Sequence, residues 1–141
     1  MRSVEKAVRA GFAHGMFQHA AEITPFCDWL VERWSERPTV LEIGAHRGGT
    51  ARMFLELGAR VVSIDLPDGP WGGIGFDKAK ERNEALRRDF PASFVGILGD
   101  SHELDTKAEA VGALCLYGAP DLLFIDGDHS YQELLLQSSH H

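Results

Sequence analysis

The chain has 141 residues, 44% of them hydrophobic, with 14 Lys and Arg against 21 Asp and Glu, a net charge of −7. This length holds one core and leaves no room for a second domain. The acidic balance speaks against a nucleic-acid surface, which needs clustered cations. The absence of an 18-residue apolar run or a signal-peptide pattern predicts a soluble, cytoplasmic protein.

Residues 1–10 carry Val4, Ala7 and Val8 at helical spacing, and Gly11 and Gly15 predict a turn after them. A second helix is expected from Thr24 as cap and Pro25 at its first position, with Phe26, Trp29, Leu30 and Trp34 facing inward. These helices fill residues 1–38, with Pro38 as the stop. Cys27 and Cys115 lack metal-ligand spacing and read as buried thiols in a reducing compartment.

Residues 39–50, TVLEIGAHRGGT, contain the organising turn. An apolar strand ends at Glu42, the chain passes Gly44, Gly48 and Gly49, and a helix follows over 50–57 with Gly58 as its cap. A second strand, RVVSID, ends on Asp65. Residues 66–76 hold four glycines and two prolines and predict a loop over the site. The charged stretch 77–89, with Ala79, Leu86 and Phe90 as its narrow apolar stripe, predicts an exposed helix that Pro91 stops. A third strand spans 93–98 and runs into Gly99-Asp100-Ser101. A helix is expected over 104–116 and a fourth strand over 121–126. Strands alternating with helices predict an α/β, Rossmann-like, doubly wound parallel sheet in one domain, residues 1–137. Residues 138–141 read as the remnant of an expression tag and are excluded from it.

An acid ending the second strand about 20 residues after the first glycine of such a turn has the spacing at which nucleotide-binding folds hold a ribose. The glycine pattern is G-x-x-x-G-G, not the G-x-G-x-x-G suited to a pyrophosphate, which makes an NAD-linked dehydrogenase the weaker reading. Glu42 would repel a diphosphate and attract an ammonium or sulfonium group. S-adenosylmethionine has both groups and a ribose. Against this stand plainer readings: a solvent-facing Glu42, a merely tight glycine turn, a strand-ending Asp65 and an ordinary polar turn after the fourth strand.

With TVLEIGAHRGGT, the GDS segment 99–101 and FIDGDHSY at 124–131, the sequence resembles the class I S-adenosylmethionine-dependent methyltransferases, in the small-molecule O-methyltransferase and cephalosporin-hydroxylase-like branch. The resemblance implies strand order 3-2-1-4 and methyl transfer to a small hydroxylated acceptor. It gives Glu42 the methionine part of the cofactor, Asp65 the ribose, and Asp100 and Ser101 the adenine. Gly44, Ala45, His46, Gly48, Gly49 and Thr50 would line the turn, with Leu66 beside Asp65. Asp126 would bind Mg²⁺, lowering the pKa of the acceptor hydroxyl, and His129 would be the base where catechol-type relatives carry a lysine, with Asp128 beside it.

Relatives continue past the fourth strand, and this chain ends about where their next helix begins, so the last strands of the fold are expected to be missing. That would leave Leu122, Leu123, Phe124 and Ile125 on a sheet edge, predicting a homo-oligomer through this edge or the segment after Asp126. The alternative to an enzyme is a non-catalytic S-adenosylmethionine-binding or assembly module.

Overall fold

A computed structural model describes residues 3–34, 37–68 and 73–125. Among them are five helices and four strands, in the order α1 (Val4–Ala13), α2 (Ala20–Arg33), β1 (Thr39–Ile43), α3 (Gly49–Glu56), β2 (Arg60–Asp65), α4 (Phe76–Asp89), β3 (Phe94–Leu98), α5 (Leu104–Tyr117) and β4 (Leu122–Ile125). The strands form one all-parallel sheet in the order β3-β2-β1-β4, as expected.

The two cores follow from the period-2 alternation of the strands. Val40, Val61, Phe94, Leu122 and Phe124 point to one face, where Ile23, Cys27 and Leu30 of α2, Met53 and Phe54 of α3, and Leu86 of α4 cover them. Leu41, Val62, Ile64, Val95 and Ile97 point to the other face and meet Ala110, Ala113, Leu114 and Tyr117 of α5. The β1–α3–β2 and β2–α4–β3 connections thus share one face and β3–α5–β4 takes the other, as right-handed crossovers require once the strand order reverses. The reversal lies between β1 and β4, so the ligand crevice of such a sheet opens at their carboxyl ends. At the opposite end Asp121 clasps β4 to β1: its carboxylate accepts from Thr39 N (2.8 Å) and its own N–H donates to Thr39 O (2.8 Å).

Several expectations shift. Gly11 lies inside α1 instead of breaking it, and its missing side chain makes room for Gly49 O and Met16, which a Cβ there would meet at 3.0 Å. The second helix starts five residues early: His19 is its cap and Pro25 sits inside it as the sixth residue, where its missing N–H costs one ladder bond. Trp29 is 49% exposed and lies outside, stacked on Phe26 with the Arg33 guanidinium 4.0 Å above its ring. Cys27 is buried against Met53, its thiol 3.6 Å from the Met53 sulfur, whereas Cys115 is exposed, contrary to expectation. No helix among the described residues is long and apolar enough to cross a membrane.

Candidate functional site

The turn between β1 and α3 is built on backbone conformations that few residues tolerate. Gly44 and Gly48 take φ of 88° and 87°, and His46 takes φ 45°. A non-glycine residue in the left-handed region costs on the order of 1 kcal/mol and persists where its surroundings over-determine it. Here they do: His46 O accepts from Arg82 Nη1 at 2.5 Å, and its ring meets Phe17 edge-on at 5.5 Å.

Asp65 ends β2 directly across from this turn. Its Oδ1 accepts from the N–H of Ala45 (3.2 Å) and its Oδ2 from Arg82 Nη1 (2.8 Å). The Asp65 and Arg82 side chains are only 12% and 6% exposed, so the pair is a nearly buried ion bridge between β2 and α4. Arg82 Nε also donates to Asn83 Oδ1 (3.1 Å). The expected ribose acid therefore sits at the turn with two of its roughly four lone-pair sites engaged.

Glu42 does not face water. It is 0% exposed, on the face of β1 that pairs with Ser63 and Phe124, and its Oε1 accepts from Ser63 Oγ at 2.9 Å. Its carboxyl group lies in the sheet core and away from solvent.

Two of the turn glycines answer to the protein's own atoms. A Cβ on Gly49 would lie 2.4 Å from Met16 N and 2.5 Å from Gly11 O, and one on Gly48 would meet Arg82 Cγ at 3.0 Å. Their smallness admits the α1–α2 connection and the stem of Arg82. Thr50 is buried in the first turn of α3, and Leu66 is exposed just beyond Asp65.

At the end of β3, Asp100 Oδ1 accepts from His102 N (2.9 Å) and lies 3.1 Å from His102 Nδ1, the local turn chemistry expected of Asp. Ser101 is half-buried beside it. The expected metal and base residues, Asp126, Asp128 and His129, lie outside the described residues. Among the described residues no cluster of His, Cys, Asp and Glu could hold a metal ion.

A shallow cavity of about 220 Å³ is lined by Gln18, Glu22, Ile23, Phe26 and Phe124, on the sheet face where Phe124 is the register partner of Glu42.

Arg82 escaped the sequence reading, which took its helix as solvated apart from a stripe at Ala79, Leu86 and Phe90. The signal was present: positions 79, 82, 83 and 86 fall on one helical face, and all four are buried. Phe17 and the cavity residues of α2 carried no comparable pattern. No protein-family profile and no curated protein matches this chain.

Proposed function

We propose that the chain binds S-adenosylmethionine in the crevice between the glycine turn and Asp65, and serves methyl transfer to a small hydroxylated molecule. The observation that carries this reading is the docking of Asp65 on the turn, with Ala45 N–H on one carboxylate oxygen and Arg82 on the other. It leaves a buried, acceptor-rich carboxylate at the carboxyl end of β2, suited to a ribose diol.

The turn has the G-x-x-x-G-G spacing and not the G-x-G-x-x-G of a pyrophosphate site, and no Lys-Ser or Lys-Thr follows it, which favours S-adenosylmethionine over a ligand with a diphosphate. When bound, the sulfonium supplies an activated methyl group for in-line attack by an acceptor oxygen. The chain's own contribution, among the described residues, is to hold the ribose, shape the turn and offer the 220 Å³ cavity between α2 and β4 as the acceptor site. Its Phe26, Phe124 and Ile23 walls, with Gln18 and Glu22 as polar groups, fit a small, partly apolar acceptor below drug size.

Calorimetric titration with S-adenosylhomocysteine and with NAD tests the reading. Binding of the first and not the second is expected, and the reverse would replace the cofactor class. Cofactor binding without methyl transfer to any hydroxylated acceptor would favour the non-catalytic module.

A further inference from the structure

The guanidinium of Arg82 joins both halves of the crevice. Through Nη1 it holds the carbonyl of the strained His46 and one oxygen of Asp65, through Nε it holds Asn83, and its methylenes occupy the space a side chain at Gly48 would need. Its remaining nitrogen, Nη2, is buried and has no hydrogen-bond partner among the described residues. A buried charged donor without an acceptor is costly, and a ligand oxygen arriving there would be stabilised.

Asp65 can only accept, and its Oδ1 and Oδ2 already take one N–H each. Arg82 can only donate. Side by side they complement a group that does both, which a hydroxyl does and a phosphate does not. A phosphate would satisfy Arg82 but meet the Asp65 charge.

We propose that Arg82 is the positioning residue that makes this crevice selective for an unphosphorylated vicinal diol. It fixes which lone pairs of Asp65 face the ligand and turns its last N–H toward a hydroxyl oxygen. The inference rests on the cofactor reading above, since the diol is the ribose of that ligand.

The test is calorimetry on the full chain with S-adenosylhomocysteine and its 2′-deoxy analogue, using wild type, Arg82→Met and Arg82→Lys. Wild type should lose about tenfold or more in affinity when the hydroxyl is removed, the scale of one charged hydrogen bond. Arg82→Met should bind S-adenosylhomocysteine about tenfold or more weakly and show little preference between the two ligands. Arg82→Lys should fall between, because an ammonium can pair with Asp65 but lacks the planar fork.

Arg82→Met that binds weakly yet keeps the full wild-type preference would overturn the proposal and leave Arg82 a structural bridge. If that variant does not fold, undiminished preference in Arg82→Lys overturns it equally. Absence of S-adenosylhomocysteine binding to wild type would instead remove the cofactor reading, and the proposal with it.

Discussion

A Cβ placed on Gly49 would stand 2.4 Å from the backbone nitrogen of Met16, closer than two such atoms can come. The first residue of α3 and the connection after α1 are thus in backbone contact, sealed by the Met16 N–H to Gly11 O bond of 3.0 Å. The amino-terminal helices are part of the turn's architecture. Gly49→Ala should destabilise the fold by about 1–3 kcal/mol or more, because backbone cannot yield as a side chain does. Thermal unfolding measures this, and an unchanged midpoint would mean that the connection lifts off the turn freely.

Asp65 should matter to stability as well as to binding. Asp65→Ala leaves the Arg82 guanidinium buried without its carboxylate, and breaking a buried pair from one side costs about 3–5 kcal/mol. Urea unfolding should show a loss of that order, with affinity for S-adenosylhomocysteine falling by about 1–3 kcal/mol in whatever fraction stays folded. Together with Glu42→Ala, unchanged affinity would withdraw the assignment of the crevice to this cofactor.

The two thiols should behave oppositely. Burial, followed by the charge of Asp28, pushes the Cys27 thiol up from its ordinary 9.0 to about 11, whereas Cys115 is exposed. A thiol-specific reagent at neutral pH should label one cysteine promptly, the other only on unfolding. Because the folded pKa of Cys27 is the higher one, its contribution to stability is complete below about pH 9 and is lost as pH rises toward 11. Unfolding free energies between pH 8 and 11 should decline accordingly, and Cys27→Ala should flatten that part of the profile.

The strands were legible because a parallel sheet writes long apolar runs ending at glycine or an acid, and β2 falls on Arg60–Asp65, as its run predicts; their order was implied by the resemblance and not by any run. The amino-terminal helices were less legible. Thr24-Pro25 is good capping chemistry, but burial of Ile23, Cys27 and Leu30 against the sheet outweighs it and extends α2 backward to Ala20. The acids of the crevice could be located from strand ends, whereas their surroundings could not. That Glu42 points into the core and Asp65 meets Arg82 depends on how α3 and α4 lie over β1 and β2, a tertiary relation without a local pattern.

The last prediction concerns β4. Among the described residues it pairs with β1 only, and Leu123 is 54% exposed, on the sheet face covered by α5. Leu104, Val111 and Leu116 of α5 are exposed too. A short apolar strand with unpaired peptide groups along one side is a template for another strand. An identical edge offers the same apolar, uncharged run Leu122–Ile125, and two copies related by a two-fold axis can pair antiparallel without bringing like charges together along that run. We expect the chain to self-associate through this edge, with Leu123 near the axis. Light scattering across a dilution series should show a dimer that dissociates on dilution, and Leu123→Lys, which puts a charge beside its own symmetry mate, should leave a folded monomer. A wild-type monomer at micromolar concentration with fast-exchanging β4 amides, or a dimer indifferent to Leu123→Lys, would show that the edge does not mediate association.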